Sequence, residues 1–119
     1  MMPVIEQDNA NNRTVCMWQE MGINFRSNII EPGGRIVLHV HSYDHMAIVT
    51  AGWFDCTVVN GDGEVRRYQV AGKDFSSNDP AFAPVGYRVP VPAGCQHTFE
   101  LRAAKNVGEV LCVWPVGDD

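Results

Sequence analysis

The chain has four histidines, and three of them crowd into His39-x-His41-x-x-x-His45. His39 and His41 are two apart, so on a strand their side chains leave the same face. Ser42-Tyr43-Asp44 reads as a turn, and His45 then opens the returning strand, close enough to aim at the same point. The fourth, His97, ends Pro92-Ala93-Gly94-Cys95-Gln96-His97. Met singly, each would be a core histidine. With this spacing and none left over they point to a metal site, for which imidazole is a common donor.

These residues need strands to position them, and the sequence supplies strand-like segments punctuated by turns. Arg13–Gln19 and Ile23–Ile30 come first. The second places Ile23, Phe25 and Ile29 on one face and Asn24, Arg26 and Asn28 on the other. Glu31-Pro32-Gly33-Gly34 turns the chain into Arg35–His41. There Val37, His39 and His41 share one face and Ile36, Leu38 and Val40 the other. His45–Thr50 sets Ala47 and Val49 opposite Met46 and Ile48. Strands with both faces apolar or functional need cover on each side, from the chain's own N-terminal segment or from a second subunit.

Trp53–Val59 and Glu64–Val70 flank Asn60-Gly61-Asp62-Gly63, the strongest hairpin signal present. From Ala71 to Gly86 the pattern lapses into Gly, Ser, Asn and Pro, a loop of the length that is usually functional or mobile. Tyr87–Val91, His97–Ala103 and Gly108–Trp114 complete the series. No segment has a helical period of useful length, so an all-β sandwich or barrel is expected. Residues 1–12 read as an N-terminal arm or loop and 13–119 as a single domain.

Composition narrows the partners. The net charge of −5 argues against nucleic acid, which requires clustered Lys and Arg, and Arg66-Arg67 is the longest basic run. No apolar stretch reaches membrane-spanning length. Cys16, Cys56, Cys95 and Cys112 show no Cys-x-x-Cys spacing, and Cys56 and Cys112 sit in apolar strand patterns as buried thiols. The first residues carry no basic and apolar leader pattern, so a reducing, cytoplasmic setting is expected.

Gly33, five residues, His39-x-His41, three residues, His45, six residues and Gly52 together resemble the first cupin motif. Gly86, five residues and Pro92-x-Gly94-x-x-His97 resemble the second. The first motif normally carries Glu where this chain has His45, and the second usually ends with Asn where it has Leu101. The resemblance spans Gly33 to Leu101, about two-thirds of the chain. It implies an antiparallel β-barrel of jelly-roll type with a divalent metal near its mouth. Carried over by position, His39, His41 and His97 match ligands directly, and His45 takes the place of the acid.

That replacement has a chemical consequence. Three imidazoles and a carboxylate would lower a divalent ion's charge to +1, whereas four neutral imidazoles leave it at +2. Fe(II), Ni and Zn then rank ahead of Mn, and the residual charge favours anionic ligands. Asp44 reads as a turn or supporting group, with direct ligation the alternative. Cys95, Gln96, Tyr43, Tyr87, Arg35 and Arg88 are weaker candidates for the site's surroundings.

The resemblance implies a metal-dependent enzyme, dioxygenase-like or of isomerase or lyase type, acting on a small anionic or carbonyl-containing substrate. The alternative is a metal-bearing barrel that binds a small ligand or serves assembly. A homodimer or higher homo-oligomer is expected in either case.

Overall fold

Alternating side chains build a strand because successive residues leave opposite faces of a pleated backbone. In the computed structural model of the chain this rule yields ten strands among the described residues. The structure describes residues 3–72, 88–102 and 106–117, with backbone alone for 38–40. The strands are β1 (Val4–Asp8), β2 (Arg13–Glu20), β3 (Ile23–Ile30), β4 (Arg35–Val40) and β5 (His45–Ala51). Then come β6 (Trp53–Val59), β7 (Val65–Ala71), β8 (Arg88–Val91), β9 (Gln96–Leu101) and β10 (Gly108–Pro115). Among the described residues the only helical element is a 3-10 turn at Asn9–Asn11.

The strands form a six-stranded sheet, in the order β1-β2-β3-β10-β5-β8, and a four-stranded sheet, β4-β9-β6-β7. Every strand pairing is antiparallel. The result is a jelly roll whose sheets are not closed into one continuous hydrogen-bonded barrel. Its core contains Ile30, Val49, Phe54, Val70, Phe99 and Val110. The Phe54 and Phe99 rings meet edge to face at 6.3 Å, a favoured aromatic geometry. Gly108 faces this pair so closely that an added Cβ would lie 2.5 Å from Phe54 Cζ. Only glycine fits there.

Strand bounds match the sequence expectation to within a residue or two, with three differences of substance. The N-terminal arm is in part ordered structure: β1 pairs in plane with β2. It thus extends the sheet at the edge far from β5, while the Asn9–Asn11 turn that follows it lies against β4.

The second difference lies in β4, whose register to β9 shifts between Ile36 and His39. This β-bulge breaks strict alternation. Ile36 pairs with Phe99 and is 3% exposed, so it packs on the inner face that His97 also uses. Alternation alone had set it opposite the histidines.

The third difference is β3, whose Asn24–Arg26–Asn28 face turns inward: Asn24 and Asn28 are buried. The Phe25 ring instead stacks on Trp18 at 5.1 Å. Most of the 71–86 loop, with Tyr87, lies outside the described residues.

Candidate metal centre

Two turns bring the two halves of the site together. The Gly94 N–H donates to the His41 carbonyl at 2.9 Å, and the Ala93 N–H donates to Asp44 Oδ1 at 2.7 Å. Gly94 has φ +80°, a left-handed conformation that glycine adopts without strain. The segment before His97 is thereby pinned to the turn between His41 and His45. Asp44 is exposed, and its carboxylate serves this staple.

His97 is the second residue of β9 and is 1% exposed, while His45 opens β5 and is 5% exposed. His41 follows β4 and is half-buried. Their ring centroids are 4.9 Å apart for His45–His97, 5.2 Å for His41–His45 and 5.5 Å for His41–His97. A ligating nitrogen ~2.1 Å from a metal puts its ring centroid ~3.2 Å away, so two ligating rings stand ~4.5–5.2 Å apart. The His45–His97 and His41–His45 spacings fall in that range, and His41–His97 lies a few tenths of an ångström beyond it. His39 is opposite His97 in the backbone register, and its side chain lies outside the described part of the structure.

Spacing is not yet coordination. Among the described residues, no three or more His, Cys, Asp and Glu side chains have donor atoms placed to hold a metal ion as they stand. One reason is visible at His41, whose Nε2 lies 3.2 Å from Arg26 Nη2. A guanidinium only donates, so Nε2 accepts and the ring proton of this pair sits on Nδ1. Arg26 thus selects the tautomer a metal would need while using the same lone pair.

Aromatic stacking holds this corner together. The Tyr43 ring lies 4.7 Å from His41 and 4.9 Å from Trp114. The Arg26 guanidinium sits 4.9 Å above Trp114, a cation–π contact. Arg26 Nη2 also donates to the Tyr43 hydroxyl at 3.4 Å.

Beside His97 the interior opens into a cavity of about 310 Å³, lined among others by Arg13, Arg26, Asn28, Val37 and Cys112. Arg13 donates from Nε to Asp8 Oδ2 at 2.7 Å and from Nη1 to Asn28 Oδ1 at 3.2 Å. Asn28 in turn donates from Nδ2 to the Val110 carbonyl at 3.1 Å. Hydrogen bonds from Asn11 and Arg13 hold the Asp8 carboxyl below its ordinary pKa. Burial pushes the Cys112 thiol up to about 11, and burial followed by the nearby Cys112 pushes Cys56 to about 12. Cys112 therefore meets the cavity as a neutral thiol rather than as a thiolate.

Of the weaker sequence candidates, Arg35, Arg88 and Gln96 are exposed and do not line this cavity. Cys95 is buried against Asn60 Oδ1 at 3.6 Å. Sequence reasoning passed over Arg13, Arg26 and Asn28. The alternating Asn24, Arg26 and Asn28 were the available signal, but a polar face ordinarily means solvent.

No protein-family model matches the sequence, and no curated protein does. Solved structures match in fold. Oxalate decarboxylase from Bacillus subtilis, which has Mn(II) centres, gives a TM-score of 0.72 at 15% identity over 95% of this chain and 27% of that one. An oxalate oxidase in complex with the substrate analogue glycolate gives 0.63 at 13% identity, over 83% of this chain and 45% of that one. A conserved protein of unknown function from Streptococcus pyogenes gives 0.55 at 20% identity, over 87% of this chain and 73% of that one. The chain thus spans less than half the length of the two oxalate enzymes. Those enzymes are cupins, and the fold that the two motifs led us to expect is the fold observed.

Proposed function

We propose that this cupin-fold chain holds one divalent transition metal through His39, His41, His45 and His97 and presents it to a small anionic or carbonyl-bearing ligand. The observation that carries this reading is the convergence of the His41, His45 and His97 rings at centroid separations of 4.9 to 5.5 Å. The register of His39 against His97 supports the fourth ligand. Four neutral imidazoles favour Fe(II), Ni or Zn over Mn, in contrast to the Mn(II) of the Bacillus subtilis oxalate decarboxylase. When bound, the ion supplies a Lewis-acid position of undiminished charge.

The chain's own residues do the remainder. Burial of His45 and His97 keeps their ring environment dry, and Arg26 orients the His41 imidazole. The neighbouring cavity has room for a ligand of a few heavy atoms. If the site turns its ligand over, an oxidoreductase of dioxygenase type is our first proposal, with isomerase or lyase chemistry next.

One observation favours binding without turnover. The cavity's one carboxylate among the described residues is Glu6, which is exposed on β1, and its thiol is held protonated. We also propose a homo-oligomer that covers the Trp18–Phe25 side of β1–β3, where Ile5 and Ile23 are exposed.

Elemental analysis of protein purified without added metal or chelator tests the central reading. Near-stoichiometric metal is expected, and less than about 0.1 equivalent overturns it. Metal at a hundredfold excess over its Kd should add about 2.7 kcal/mol of stability. That increment is expected to vanish in His45→Ala and His97→Ala.

A further inference from the structure

Arg13 and Arg26 both reach the interior cavity, yet their surroundings differ. Arg13 is matched by Asp8 at 2.7 Å and by the Asn28 amide. Arg26 is engaged by neutral groups: His41 Nε2, the Tyr43 hydroxyl, the Trp114 ring and the Cys112 thiol. None of the ion pairs among the described residues involves Arg26. Glu6, the one acid lining the cavity among them, is exposed on the edge strand β1, where solvent screens its charge.

We propose that Arg26 determines the ligand specificity of this cavity by binding the carboxylate of a small monoanionic ligand. A guanidinium always carries its charge, and its planar fork matches a carboxylate in two parallel hydrogen bonds. One guanidinium without an acidic partner among the described residues calls for one anionic group. Val15, Met17, Ile36 and Val37 line other parts of the cavity, so the rest of the ligand is a short, largely apolar or carbonyl-bearing body. The volume of about 310 Å³ lies at the small end of the range for ligand pockets, so the ligand is a small molecule. The proposal deepens the functional reading above by naming the ligand class, but the anion site itself requires no metal.

The test titrates acetate and glycolate, with inorganic phosphate for comparison, into the full chain as purified and after chelation. Binding is followed by calorimetry and by the NMR signals of the Arg26 Nε–H and the Trp114 indole. Saturable carboxylate binding that shifts both signals is expected. Arg26→Met should weaken it by about 10- to 100-fold, the loss of a charge-assisted pair, and Arg26→Lys should fall between. Arg35→Met and Arg88→Met should bind as the unaltered protein does.

Absence of saturable binding, acetate binding retained in Arg26→Met, or signal changes confined to other residues would overturn the proposal. The wild-type NMR arm decides the matter even where a variant fails to fold. Carboxylate binding through Arg26 in a protein that holds no metal would sink the metal reading and leave this one standing. Stoichiometric metal without carboxylate binding would do the reverse.

Discussion

Asn28→Leu tests whether the inward polar face of β3 is a built part of the site. Asn28 is 2% exposed, and Leu matches it closely in size. The change removes the bond to the Val110 carbonyl at 3.1 Å and the one accepted from Arg13 Nη1 at 3.2 Å. A neutral bond contributes about 1 kcal/mol and a charge-assisted one about 2 kcal/mol. Burial of the leucine side chain offsets about 1.5 kcal/mol or more of that loss. The expected net destabilisation is about 1–2 kcal/mol, a fall in Tm of roughly 4–8 °C for a chain of this size.

Thermal melts and urea titrations measure it, and a double-mutant cycle with Arg13→Met isolates the pair. A coupling of about 1 kcal/mol or more is expected. If Asn28 faced water, leucine there would change stability by less than about 0.5 kcal/mol. An unchanged Tm, or additivity of the two substitutions within about 0.3 kcal/mol, would refute the inward network.

Other outcomes follow from the core and its thiols. Gly108→Ala drives a methyl to 2.5 Å from Phe54 Cζ and 2.8 Å from Leu101 Cδ1. It should cost about 1–3 kcal/mol, and Phe54→Leu in the same chain should recover part of that. Purely additive losses would show that the clash is not the cause. Iodoacetamide at pH 8.5 should label Cys16 in the folded protein and spare Cys56 and Cys112, whose thiols titrate at about 12 and about 11. Unfolded thiols titrate near 8.5, so above about pH 9 the unfolded chain releases protons that the folded chain keeps. Stability should therefore fall with rising pH, by up to ~1.4 kcal/mol per pH unit for each thiol. A constant urea midpoint from pH 8 to 10, or labelling of Cys56 at the rate of Cys16, would contradict the burial of these groups.

Strands, turns and fold were legible from residue order because their causes are local. Alternation sets strand faces, Gly33 and Asn60-Gly61 mark turns, and the two histidine-bearing motifs predicted a jelly roll in which His41, His45 and His97 meet. The rings do meet, at about 5 Å. Local pattern failed where a pairing partner decided the outcome. The bulge in β4 belongs to its register with β9, and no property of Ile36 by itself turns it toward Phe99.

The same limit applies to β3 and to Asp44. Alternation states that Asn24, Arg26 and Asn28 share a face, but only the packing of the six-stranded sheet on the four-stranded one decides that this face looks inward. Asp44 could be read as a turn residue, yet its partner is the N–H of Ala93, 49 residues away. The sequence by itself determined the donor types and their spacing along strands, since covalent order and backbone pleat dictate both. The tertiary structure alone decided that a guanidinium from β3 stands on the His41 imidazole. Contact between distant strands is a property of their register and packing, and neither strand carries it alone.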